Sequence, residues 1–100
     1  MGAIPFLTQI EPESKRYVGA YIKNLRLRLG LTQLQLSFSS GYSVVTISRI
    51  ENGKANASGV AGRDILIILS ELCGFTEPGE MLDDYISFVR DGAEAIEVLQ

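Results

Sequence analysis

Residues 31–53 hold two short helix signals, each with an N-cap and a terminating glycine, and only Tyr42 separates them. In the first, Thr32 is placed to cap a helix and Gln35 follows three residues later, which completes a capping box. Leu31 and Leu36 flank that cap with the spacing of a hydrophobic staple. The segment ends at Gly41, a residue suited to the left-handed position that closes a helix. In the second, Ser43 is the cap, Tyr42 and Ile47 repeat the staple, and Asn52-Gly53 is a strong breaker pair. Two helices of about eight to ten residues joined this tightly cannot lie antiparallel and must cross steeply.

That crossing is the helix-turn-helix arrangement, and the remaining chain reads as its support. Residues 1–12 contain two prolines and no clear period, and are read as an extended N-terminal arm. A helix is expected from Glu13 to Leu29, because Val18, Ile22, Leu25 and Leu29 form an apolar stripe at helical spacing. Residues 54–62 are small, polar and glycine-containing, which predicts a loop. Asp64 to Cys73 is apolar on nearly every side, so it is expected to be the central, fully buried helix. From Glu80 an amphipathic helix runs toward the C-terminus, carrying Met81, Leu82, Tyr85, Ile86, Phe88 and Val89, with Ile96 continuing the stripe. No segment alternates with period two. The expected class is all-α, with five helices and three regions: the arm 1–12, a helix-turn-helix unit 13–76, and an acidic C-terminal helix 77–100.

Composition removes several functions. The 100-residue chain has no His and one Cys. Triads that rely on His, Cys–His catalysis and zinc sites built on Cys and His are excluded, as is an internal disulfide. No metal or cofactor is expected, and no enzymatic constellation is present. Cys73 sits on the most apolar segment and reads as a small buried hydrophobe. Asp83-Asp84 are adjacent, diverge on a helix and make poor acid–base partners. Tyr17, Tyr21 and Tyr42 fit the edges of a core. No apolar run approaches the roughly 20 residues of a membrane span. The N-terminus is not expected to be a secretory signal, and Phe6 breaks the myristoylation pattern begun by Met1-Gly2.

The formal net charge of −3 hides a division. Residues 1–54 carry seven basic and three acidic side chains, whereas residues 55–100 carry two and nine. The helix-turn-helix segment therefore lies in the basic half. On its second helix, Ile47 and Ile50 share one side. Val44, Val45, Ser48, Arg49 and Asn52 fall on the other, a stripe of the width an α-helix presents to the major groove of B-DNA. There Arg49 is suited to guanine, Ser48 to several bases, and Val44, Val45 and the Thr46 methyl to thymine methyls.

Leu31-Thr32-Gln33, Leu36, Gly41, Ser43 and, above all, Thr46-Ile47-Ser48-Arg49-Ile50-Glu51-Asn52-Gly53-Lys54 resemble the lambda-repressor-like helix-turn-helix family, of the Cro and phage-repressor, or xenobiotic-response-element, type. The likeness runs without gaps from Ile22 to Lys54 and resumes more loosely from Asp64 to Phe75. It implies a compact five-helix domain that binds double-stranded DNA. It assigns base reading to Val44, Val45, Thr46, Ser48 and Arg49, and backbone contact to Gln33, Ser43, Asn52 and Lys54. Arg26 and Glu51 match a pair that forms a partly buried salt bridge between the first and third helices of family members.

The sequence departs from the pattern in four places. Val44 and Val45 stand where polar readers are usual. Leu34 and Phe38 are apolar at outward positions, so the arm or the C-terminal helix is expected to cover them; left open, they would form a protein-binding patch. The link from Ala55 to Arg63 is longer than usual, and Arg63 becomes a further candidate for phosphate contact. The acidic C-terminal helix lies outside the common core, and its stripe of Tyr85, Phe88, Val89 and Ile96 either forms a dimer interface or packs on the chain's own core. The resemblance implies a cytoplasmic regulator of bacterial or phage origin, acting as a homodimeric repressor. The alternative is a protein-interaction module of antitoxin or antirepressor type on the same scaffold, using Leu34 and Phe38 or the acidic helix.

Overall fold

The computed structural model describes residues 17–57 and 59–99, with side chains omitted for Pro78 and for 93–99. The described residues are all-helical, in five helices: α1 (Val18–Arg28), α2 (Gln33–Ser40), α3 (Val44–Glu51), α4 (Val60–Cys73) and α5 (Pro78–Leu99). The predicted arm 1–12 and the predicted onset at Glu13 lie outside the described residues.

The capping signals act as their spacing requires. Gln35 N–H donates to Thr32 Oγ1 at 3.0 Å, and Thr32 N–H donates to Gln35 Oε1 at 2.8 Å, which closes the capping box of α2. Thr46 N–H donates to Ser43 Oγ at 3.1 Å and starts α3. Between these helices Gly41 adopts φ +80°, a conformation a side chain would strain, and this lets the chain reverse within two residues.

The core draws on every helix. Val18, Tyr21, Ile22 and Leu25 of α1 meet Leu36 of α2, Ile47 and Ile50 of α3, Ile65, Leu66 and Leu69 of α4, and Met81 and Tyr85 of α5. The stripe predicted for α1 is buried at its first three positions, with Leu29 half-buried at the helix end. Tyr21 is fully buried and stands edge-to-face with Tyr85 at 5.1 Å between ring centroids. Its neighbour Phe88 lies 5.5 Å away. Burial pushes the Tyr85 phenol up to about 12.

Two sequence expectations about α4 are corrected. The helix begins at Val60, so the last three residues of the predicted 54–62 loop are helical and Arg63 stands on the first helical turn, with its N–H bonded to the Gly59 carbonyl at 3.0 Å. The glycine that suggested a loop serves a contact instead: a Cβ on Gly62 would overlap the Ala57 backbone. Nor is α4 buried all round. Ile65, Leu66 and Leu69 are enclosed, but Val60 and Leu72 are 75% and 52% exposed. Cys73 is half-buried, and burial raises its thiol pKa.

At its other end, α5 begins earlier than Glu80, at Pro78, a residue favoured in the first helical turn because its missing N–H costs no helix bond there. The Glu80 carboxylate reaches back to the N–H groups of Glu77 and Thr76, at 2.8 and 2.9 Å, and to the Thr76 hydroxyl. These bonds, led by that from Glu77, hold its pKa below the usual carboxylate range.

Candidate nucleic-acid interface

The helix α3 is oriented by what it buries. Ile47 and Ile50 enter the core, and Glu51 follows them inward at the helix end. A carboxylate there needs partners, because an unpaired buried charge is costly. It receives Arg26 Nε at 2.7 Å and Arg26 Nη2 at 3.0 Å, the two-pronged geometry that suits guanidinium. Gln33 Nε2 donates to the same carboxylate at 3.0 Å. Arg26 Nη1 continues to the Leu31 carbonyl at 2.8 Å. One acidic side chain thus ties together the end of α1, the start of α2 and the end of α3.

With that side fixed, the opposite face of α3 points outward. Val45, Arg49 and Asn52 lie along it at intervals of four and three residues, all exposed, while Val44, Thr46 and Ser48 flank it and are half-buried. Several polar groups have internal partners. The Ser43 hydroxyl donates to Thr46 Oγ1 at 3.0 Å while accepting the helix-capping N–H. Asn52 Nδ2 donates to Ser48 Oγ at 3.3 Å. Arg49 Nη2 reaches the Lys54 carbonyl at 3.3 Å, and Lys54 N–H returns a bond to the Arg49 carbonyl at 2.7 Å. The phenol of Tyr42, in the turn before α3, donates to Asp64 of α4 at 2.6 Å, and this bond raises its pKa.

The fold partly offsets the division of charge seen in the sequence, because one cation of the basic half pairs with a carboxylate of the acidic half. Arg28 is clamped by Asp84 through both of its terminal nitrogens, so it contributes little free positive charge. Arg49, Lys54 and Arg63 form no ion pair with a described residue, and all three are exposed. The free cations therefore include two at the C-terminal end of α3 and one at the start of α4.

Several sequence-derived assignments look different once placed. Gln33, expected on the phosphate side, already gives one N–H to Glu51. Ser43, assigned to the backbone, has its hydroxyl engaged in capping. Leu34 and Phe38 are 55% and 80% exposed, and no part of α5 among the described residues shields them as the sequence leads one to expect; the arm, the other expected cover, lies outside the described residues. Tyr85, offered as a dimer contact, is 1% exposed within its own core and is closed to a partner. Phe88 and Val89 are half-buried against that core, and Ile96 lies outside the described side chains.

The bonds that secure α5 leave no local signal in the sequence. Tyr21 Oη donates to Asp84 Oδ2 at 2.6 Å, and Arg28 Nη1 donates to Asp84 Oδ1 at 3.2 Å. Nothing local marks Asp84 over Asp83; only its one-turn relation to Phe88 and its adjacency to Tyr85 would have placed it beside α1.

No helix among the described residues is long and apolar enough to cross a membrane. Neither the curated proteins nor the solved structures contain a match to the chain. Residues 22–80, spanning α2, α3 and α4 together with most of α1, match the family model described as Helix-turn-helix. The chain therefore belongs to the Cro-type, lambda-repressor-like helix-turn-helix family of DNA-binding regulatory domains.

Proposed function

We propose that this protein is a sequence-specific double-stranded DNA-binding transcriptional repressor, cytoplasmic and active as a homodimer, with residues 43–52 entering the major groove. The observation that carries this reading is the outward face of α3. Val45, Arg49 and Asn52 stand exposed on a helix whose other side is fixed by Ile47, Ile50 and the Glu51–Arg26 pair. A helix presented this way can meet base edges, where sequence is read. Lys54, just past its end, is suited to a phosphate, and Arg63 on α4 adds a further cation. Residues 13–76 form the binding unit in this reading. The segment 77–100 supplies the acidic element that limits non-specific attraction to DNA.

Pairing of two copies would place two recognition helices about one DNA turn apart, roughly 34–36 Å, which raises both affinity and specificity. With Tyr85 buried, the described part of the C-terminal stripe left for that pairing is the exposed Ile86 with the half-buried Phe88 and Val89. The alternative, a protein-interaction module, draws on the exposure of Leu34 and Phe38.

Titration of a random-sequence duplex pool at several salt concentrations tests the reading. Binding that falls steeply as salt rises, with enrichment of one sequence, is the expected result. Absence of binding at low salt would overturn it in favour of the interaction module.

A further inference from the structure

A groove of about 490 Å³ runs between α1 and α5, and none of its lining residues belongs to α2 or α3. That volume falls within the range of small-molecule sites. Asp84, Ser87, Phe88 and Asp91 form one wall, because steps of three and four residues share a helix face, and Asn24 and Arg28 form the other. Most of this polar lining is spent inside the chain. Arg28 and Asp84 neutralise each other, Asn24 Oδ1 accepts from Arg28 Nε at 2.9 Å, and Ser87 Oγ accepts from Arg90 Nη2 at 3.3 Å. Asp91 is exposed and makes no hydrogen bond or ion pair with a described residue. The groove is left with one unspent charge, a carboxylate, one helical turn from the half-buried ring of Phe88. Gly92 also borders it, although a Cβ there would meet nothing within 4 Å, so no described contact within the chain calls for a glycine.

We propose that this groove binds a small organic cation, an ammonium group carried on a flat apolar body. The ammonium pairs with Asp91, and the Phe88 ring supports it twice over, since an aromatic face attracts cations and packs against a flat apolar group. Sign decides against an anion: the charged lining is Arg28, Asp84 and Asp91, and the one cation among them is already held by Asp84. A ligand seated here touches both α1 and α5, so it reinforces the Arg28–Asp84 bond that joins them. The same end of α1 also anchors α3, because Arg26, two residues before Arg28, holds Glu51. The groove is therefore placed to act as an effector site, and its ligand binding is independent of the DNA-reading function above.

The test uses the full chain and three probes, benzylammonium, benzyl alcohol and benzoate, which share a ring and differ in the charge of the head. Each is titrated near neutral pH and followed by backbone amide chemical shifts. Benzylammonium is expected to shift the Asn24, Phe88 and Asp91 amides saturably and to bind about fivefold more tightly than benzyl alcohol, the upper worth of an exposed ion pair. Benzoate is expected to bind more weakly than either. Asp91→Asn, a change at an exposed position outside the core, is expected to bind the amine and the alcohol alike. Equal binding of the three probes, saturable shifts confined to other surfaces, or no saturable shift at all would overturn the proposal. A preference for the amine that persists in Asp91→Asn would overturn the pairing with Asp91 on which it stands.

Discussion

Glu51 accepts two hydrogen bonds from Arg26, at 2.7 and 3.0 Å, with its side chain only 1% exposed. This pair fixes the angle at which α3 leaves the core, because its members lie 25 residues apart on different helices. Glu51→Ala leaves the Arg26 guanidinium buried without its counter-ion and should cost about 3–5 kcal/mol in chemical denaturation. Replacing both residues by apolar side chains of similar volume should cost less, since neither charge is then stranded. A double variant as unstable as Glu51→Ala would show that shape rather than charge dominates the site.

Two glycines in helix interiors should respond to alanine in opposite directions. On propensity alone, Gly→Ala gains about 1 kcal/mol in a helix. At Gly92 of α5 a Cβ meets nothing within 4 Å, so that gain should appear as a higher midpoint. At Gly19 of α1 a Cβ would overlap the Ile50 carbonyl oxygen, where α1 crosses α3. Overpacking of this kind costs about 1–3 kcal/mol, so Gly19→Ala should unfold at lower denaturant. Equal effects at the two positions would mean that α1 and α3 are not in backbone contact.

The attachment of α5 should weaken in acid. Burial of Asp84 raises its pKa, but the hydrogen bonds from Arg28 and Tyr21 and the Arg28 charge outweigh burial and leave it below the ordinary carboxylate value. A carboxyl whose folded pKa is depressed contributes stability that is complete above its unfolded pKa, about 3.9, and is lost as pH falls through the folded value. The unfolding temperature should therefore begin to fall as pH approaches about 3.9 and keep falling below it, and Asp84→Asn should show a shallower fall. Glu80 titrates in the same direction, so some acid dependence should survive in that variant. An identical acid limb in wild type and Asp84→Asn would rule out the Asp84 clamp as its source.

Local chemistry was the legible part of this chain. Thr32 with Gln35, Ser43 with Thr46 and the apolar pairs of α1 and α3 act between residues close in sequence, so their spacing reveals them. The Arg26–Glu51 pair became readable through resemblance. What escaped depends on distant residues. Asp84 meets Arg28 and Tyr21 across 56 and 63 positions, and no period encodes that meeting. Gly62 reads as a loop residue unless the approach of the Ala57 backbone is known. Tyr85 fits an amphipathic stripe equally well whether a partner or its own core lies opposite. Period alone puts Arg49 and Val45 on the outward side, whereas the engagement of the Ser43, Thr46 and Ser48 hydroxyls depends on side-chain rotation.

Exposure of Leu34 and Phe38 should make them neutral for folding. Leu34→Ser and Phe38→Ser should each change stability by no more than about 0.5 kcal/mol, the range for surface positions. They should also leave duplex affinity unchanged in a fluorescence-anisotropy titration. A large stability loss from either would show that the side chain is covered in solution.

The central claim is that α3 reads bases while the cation beyond its end holds phosphate, and comparison of Arg49→Ala with Lys54→Ala measures it most directly. Affinity is determined for an enriched duplex and for an unrelated one across a salt series. Arg49→Ala should lose about 1–3 kcal/mol on the enriched duplex and little on the unrelated one, whereas Lys54→Ala should weaken both alike and reduce the salt slope by about 1. Specific affinity that survives Arg49→Ala unchanged would contradict the claim.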